Sequence, residues 1–163
     1  MSLSIFTFRL VLALTCGVLI GLERQLRQRS AGLTTNSLVS VGACIFILTS
    51  ETVIANALAS GGPVNNDNLR VLAQIVTGIG FLGAGVILRD GFTIHGLNSA
   101  ATLWCSAAMG SLCGYGLWRE AMVAVAFILF INWILKIVEH SIENHKSEDP
   151  FADPYETERR DGK

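Results

Sequence analysis

Charge is scarce in this chain. Aspartate, glutamate, lysine and arginine make up 15% of its 163 residues, against about a quarter in soluble domains. No acidic residue occurs between Asp90 and Glu120. The formal net charge is −1, so no basic excess points to nucleic acid, and none is expected as a partner. Four cysteines (Cys16, Cys44, Cys105 and Cys113) all fall within apolar segments, with no C-x-x-C or Cys/His metal spacing. They are expected to behave as small buried hydrophobes, and a disulfide framework or a metal centre is not expected. His95 stands alone in a polar connector, and His140 and His145 have the wrong spacing for one face of a metal-binding helix. The apolar segments hold no Ser/His pair, paired aspartates or H-E-x-x-H set. No enzyme activity and no cofactor are therefore expected.

Apolar residues are abundant: 51% of the chain is hydrophobic and the mean hydropathy is +0.50. The most distinctive stretch is Gln74–Leu88, QIVTGIGFLGAGVIL, with Gly78, Gly80, Gly83 and Gly85 inside eight residues. Gly78, Gly80 and Gly83 satisfy G-x-G-x-x-G. A dinucleotide site, however, needs a preceding strand, a soluble helix after it and an acid about 20 residues on. The apolar run instead continues on both sides, which favours a transmembrane helix. At about 100° per residue, Gln74, Gly78 and Gly85 share one face, and Thr77, Gly80, Gly83 and Ala84 lie broadly on the other. Small residues on two faces admit neighbouring helices from both sides. This helix is expected at the centre of a bundle.

Other segments follow the same logic. Ile5–Leu22 is an apolar run whose cationic end (Arg24, Arg27, Arg29) follows it, with no A-x-A-like cleavage site. It reads as an uncleaved first helix, with Arg9, Ala13, Gly17, Gly21 and Arg24 on a broad face and Gly17/Gly21 as a small-xxx-small pair. Glu23–Thr35, ERQLRQRSAGLTT, is a polar connector, either a solvated cytoplasmic loop or a docking or headgroup-binding surface. Asn36–Ser60 is long enough to span with tilt. It carries Asn36, Ser37, Ser40, Cys44, Glu51 and Ala55 in one stripe. Glu51 lies about 14 Å from the Ser60 end at 1.5 Å per residue, and an ionisable residue inside a membrane is a functional candidate by default. Its alternative is a carboxyl paired with a polar neighbour, or placed at the interface. Gly61–Asn68 is a turn-rich loop, and Arg89–Leu97 a short connector. Asn98–Gly116 is a fourth span with Ser99, Ser106, Gly110 and Cys113 on one stripe, Thr102 at its edge and Trp104 opposite. Ala121–Val138 is a fifth, interrupted by Asn132. Residues 1–142 are thus expected to form a transmembrane domain, and 143–163 a polar, disordered cytoplasmic tail.

Five spans place the termini on opposite sides. With Glu23–Thr35, Arg89–Leu97 and the tail inside, nine of the 12 Lys/Arg are inside and three (Arg9, Arg70 and Arg119) outside. The positive-inside rule then favours N-terminus out and C-terminus in. The expected fold is an all-α membrane protein, a bundle of about five transmembrane helices.

Three blocks carry a resemblance. ERQLRQRSAGLTTN (Glu23–Asn36), GIGFLGAGVILRDG (Gly78–Gly91) and GLNSAATLWCSAAMG (Gly96–Gly110) are similar to the signature blocks of the MgtC/SapB family of bacterial inner-membrane proteins. The third block is particularly similar to the virulence- and magnesium-limitation-associated branch, MgtC proper. The resemblance runs from about Arg9 to Val138. It implies a five-helix membrane domain, induced under low magnesium, that supports survival inside macrophages and is associated with restraint of the rotary ATP synthase, not with pumping magnesium. Two departures stand out. Ala31-Gly32-Leu33-Thr34-Thr35 has Thr34 where the family commonly has arginine, and only a short tail occupies the place of the soluble, ACT-like C-terminal domain of MgtC proper.

The expected function is therefore a small regulator acting by helix–helix contact with a larger membrane complex, the ATP synthase by resemblance, in a lipid bilayer, with a homo-oligomer also open. Gly17, Gly21, Gly78, Gly80, Gly83, Gly85 and Gly110 are the expected packing or partner-contact positions. Glu23, Arg24, Arg29, Glu51, Gln74, Arg89 and Asn98 are the candidate functional polar residues. The alternative is a small ion transporter or channel, its path lined by Arg9, Glu51, Gln74 and Asn132. One clear intramembrane carboxylate is sparse for such a relay, and no internal repeat is visible.

Overall fold

A computed structural model describes residues 1–61 and 68–147, with side chains for 1–61 and 69–134. The described residues form five helices: α1 (Leu3–Leu26), α2 (Leu33–Ala59), α3 (Asn68–Val86), α4 (Leu97–Gly114) and α5 (Trp118–Ser147). Two three-residue strands, β1 (Leu88–Asp90) and β2 (Thr93–His95), join α3 to α4. Among the described residues three helices are long and apolar enough to cross a membrane: α1, α2 and Leu69–Val86 of α3. The chain divides into two compact units, Met1–Ile128 and Leu129–Lys163. The first holds α1 to α4 and the start of α5; the second continues α5 to Ser147. Residues 143–147, expected to belong to a disordered tail, are helical, because the polar run Glu139–Ser147 contains no proline or glycine to stop the helix. Residues 148–163, also assigned to that tail, and most of the Gly61–Asn68 loop lie outside the described residues.

In the first unit α2 is the central helix. It is squeezed between α1 and α4 by two small-xxx-small pairs. A Cβ on Gly17 would lie 2.7 Å from Ser37 Cα, and one on Gly21 would lie 2.7 Å from Leu33 Cα. On the other side a Cβ on Gly110 would collide with the Ser40 carbonyl, and one on Gly114 would sit 2.7 Å from Ile47 Cβ. No side chain fits in these crossings, so the backbones approach at glycine distance. Around them pack Ala13, Cys16 and Ile20 of α1, Ala43, Cys44, Ile47 and Leu48 of α2, and Leu103, Ala107, Met109 and Cys113 of α4. The α2 stripe follows the expected side, with Asn36, Ser37, Ser40 and Cys44 buried, whereas Ala55 is exposed. On α4, Ser99, Thr102, Ser106, Gly110 and Cys113 face inward and Trp104 faces out.

The expected central place of α3 is corrected. It lies at the edge of this unit, packed through Ile79 with Ile75 and Val86 beside Leu103 and Ala107. A Cβ on Gly78, Gly80 or Gly85 would meet none of the described residues within 4 Å, and one on Gly83 would make ordinary contact with Ala100 Cβ at 3.7 Å. The reason is energetic. Glycine permits close approach but buries almost nothing itself, so the i, i+4 pair Ile75/Ile79 decides which face turns inward. The connector after α3 is also more ordered than expected. Asp90 pairs with Thr93 across the two-residue turn Gly91-Phe92, which begins with Gly91 at φ +58°, and glycine at the first turn position is the type II′ hairpin pattern. Gly96, with φ +89°, then seats the start of α4 against the Val86 carbonyl, where no Cβ could fit.

Candidate functional site

The polar side chains of the first unit gather at two ends of the α1/α2/α4 core. At one end Arg9 Nη1 donates to Glu51 Oε2 at 2.7 Å and to the Gly114 carbonyl at 2.6 Å. Gly116 lies where a Cβ would press on this guanidinium, 2.8 Å from Nη2. One arginine thus ties the start of α1 to the ends of α2 and α4. Both charges are partly buried, and a partly buried carboxylate beside a guanidinium is the paired form that the sequence left open for Glu51. Further inward, Ser40 Oγ donates to the Ala13 carbonyl at 2.7 Å and Cys44 Sγ to the Arg9 carbonyl at 3.7 Å. These bonds run from α2 to the α1 backbone and satisfy groups that lipid cannot. Cys16 and Cys113, on α1 and α4, bring their sulfurs to 4.0 Å.

At the other end Arg24 is the pivot. It is 2% exposed. Its Nη1 donates to Asn98 Oδ1 at 3.3 Å and its Nη2 to Ser99 Oγ at 3.2 Å, both in the first turn of α4. Ser30 Oγ reaches the same Ser99 hydroxyl at 2.8 Å. Asn36 donates through Nδ2 to the Ala31 and Gly32 carbonyls, each at 2.9 Å, and accepts from Ser106 Oγ at 2.8 Å. The connector between α1 and α2 is therefore stitched down to α4 by serine and asparagine. Glu23 pairs with Arg27 at 2.6 Å, one turn along α1.

Of the residues singled out from sequence, Arg24 and Asn98 meet here. Ser99 joins them to Ser30, a contact that membership of the α4 stripe did not reveal. Arg29 is exposed, with its backbone N–H on the Arg24 carbonyl at 3.1 Å. Glu51 belongs to the opposite end, with Arg9. Gln74 is exposed on α3 and lines, with Gly78, Leu38 and Phe46, an apolar groove of about 480 Å³ between α2 and α3. Arg89 lies in the hairpin, its Nε donating to the Gly91 carbonyl at 2.9 Å. Arg9, Glu51 and Gln74 do not form one path: the first two neutralise each other, while the third borders an apolar groove. Among the described residues no group of three or more His, Cys, Asp or Glu could hold a metal ion.

With this geometry in place, comparison with known proteins identifies the relatives. The MgtC family model matches residues 10–141. The chain is 50% identical over 131 residues to Protein MgtC of Salmonella typhimurium, covering 80% of this chain and 52% of the relative. It is 52% identical over 131 residues to Protein MgtC of Brucella abortus, covering 80% of this chain and 51% of the relative. The chain thus spans about half the length of the relatives it matches. No solved structure matches significantly.

Proposed function

The chain belongs to the MgtC family, and from that premise we propose that it is a non-enzymatic regulator of the bacterial inner membrane. It acts by helix–helix contact with a larger membrane complex, the rotary ATP synthase being the partner that the family resemblance implies. In that role it supports adaptation to magnesium limitation and survival in host cells. It crosses the membrane five times, with its N-terminus outside.

The observation that carries the reading is the open space beside the glycines of α3. Gly78, Gly80 and Gly85 have no atom of the described residues within 4 Å of a Cβ position, and Phe81 is 82% exposed. Small residues with open space beside them suit the close approach of a foreign helix. The Arg9–Glu51 ion pair weighs against an ion path, since a carboxylate already compensated at 2.7 Å is poorly placed to exchange partners with a passing cation.

Purification of the tagged protein from native membranes, with identification of what accompanies it, tests the proposal. ATP synthase subunits are expected with the wild type and not with Gly80→Leu, which fills the open space beside Gly80. Equal recovery with both proteins, or no complex with either, overturns it. Glu51→Gln keeps an oxygen acceptor for Arg9 and is expected to retain most activity. Cation flux in liposomes that vanishes in Glu51→Gln would establish transport instead.

A further inference from the structure

Arg24 poses a question that the regulatory reading does not answer. It is a nearly inaccessible cation, and its hydrogen-bond partners are the neutral Asn98 and Ser99. Among the described residues the one carboxylate whose charge it feels is that of its chain neighbour Glu23, which is shared with Arg27 through an ion pair at 2.6 Å. Its Nε is buried without a hydrogen-bond partner. Buried charges are ordinarily paired, because an uncompensated one is strongly disfavoured. An arginine with an idle donor, held at one spot by two neutral side chains, is poised for an anion.

The neighbourhood has the matching chemistry. The guanidinium lies against the first turn of α4, an 18-residue helix whose N-cap, Gly96, contributes no side-chain cap. The backbone N–H groups of that turn lack partners within the helix and carry the positive end of its dipole. Ser30 and Asn98 are exposed at the rim, with Ser99 and Arg24 buried behind them. Hydroxyl, amide, backbone N–H and guanidinium are donors to one acceptor-rich group, and arginine geometry suits phosphate oxygens in particular. Arg27 and Arg29 follow on the same connector, against the single carboxylate of Glu23, so the local field also favours an anion.

We propose that Arg24, Ser30, Asn98, Ser99 and the first turn of α4 form a binding site for a phosphate group at the membrane surface. Ser30 and Asn98 make its mouth, and Arg24 supplies the charge from below. The group is either the headgroup phosphate of an anionic lipid or free inorganic phosphate, since both offer the same oxygens.

Two arms separate these sources. Delipidated protein in maltoside detergent is titrated with inorganic phosphate, followed by phosphorus NMR. In parallel, protein reconstituted with phosphatidylglycerol is examined by native mass spectrometry for retained lipid. One phosphate-bearing ligand per chain is expected. Saturable binding of inorganic phosphate that displaces the lipid assigns the free ion; retained phosphatidylglycerol that phosphate does not displace assigns the headgroup. Asn98→Asp is the decisive variant. It places a carboxylate beside Arg24, compensates the cation from within the chain and should weaken binding at least about tenfold while the melting temperature holds or rises. Ser30→Ala, at the exposed rim, should weaken binding about threefold in a folded protein. If the wild type binds neither probe, or both variants bind as the wild type does, the site does not exist.

Discussion

A methyl group at position 110 would run into the Ser40 carbonyl, and a carbonyl within a helix cannot swing aside as a side chain can. Gly110→Ala is therefore expected to destabilise the protein by about 1–3 kcal/mol or more, through backbone displacement of α4 from α2. Gly80→Leu should behave oppositely. Its Cβ enters open space, so the variant should accumulate and melt like the wild type. Thermal unfolding of both in the same detergent checks the pair. A melting temperature lowered by Gly80→Leu and untouched by Gly110→Ala would mean that α3 and not α4 lies against α2. The residue scale is also where sequence reading is weakest. Glycine carries no information about which of its sides is crowded, and the four glycines of α3 outshine the Gly110/Gly114 pair that does the packing.

Between elements, the periodic pattern is more informative. The stripes Arg9–Ala13–Gly17–Gly21–Arg24 on α1 and Ser99–Ser106–Gly110–Cys113 on α4 are visible because a helix turns about 100° per residue, and the packed faces coincide with them. Pairings across helices are not legible. No spacing rule links Arg9 to Glu51, 42 residues away, or Ser30 to Ser99, 69 residues away. Such contacts depend on how helices are arranged, which helical periodicity does not encode. The β1–β2 hairpin does have a sequence signal in Gly91 at the first turn position, hidden because the strands are only three residues each. The arrangement itself has a chemical signature: Cys16 and Cys113 have sulfurs 4.0 Å apart on α1 and α4. Membrane-permeant copper–phenanthroline should cross-link them within one chain. Mass spectrometry should find that link, and either Cys16→Ser or Cys113→Ser should abolish it, whereas Cys105→Ser should leave it intact. Failure to cross-link in the native membrane would place α1 and α4 apart.

On the scale of the whole molecule the question is which way it sits in the bilayer. The two polar clusters mark opposite ends of the helical core. Arg24 at the end of α1 meets Asn98 at the start of α4, and Arg9 near the start of α1 meets the Gly114 carbonyl at the end of α4. Arg9 and Arg24 are separated by about 22 Å of helix at 1.5 Å per residue. Helix α4 thus runs antiparallel to α1 over most of the thickness of a hydrocarbon core, although its hydroxyl-rich face lowers its hydropathy. It follows that Glu23–Thr35 and the β1–β2 hairpin emerge at the same end. Four arginines (Arg24, Arg27, Arg29 and Arg89) collect there, which the positive-inside rule assigns to the cytoplasm. Reporters fused after Arg29 and within the hairpin at Gly91 should both read cytoplasmic, and one at Asn66 should read external. Agreement of the first two with each other tests the helical arrangement; their common side tests the charge rule. A cytoplasmic Asn66 with external Arg29 and Gly91 would preserve the arrangement and invert the protein. The Arg24 cluster would then face outward and the Arg9–Glu51 pair the cell interior.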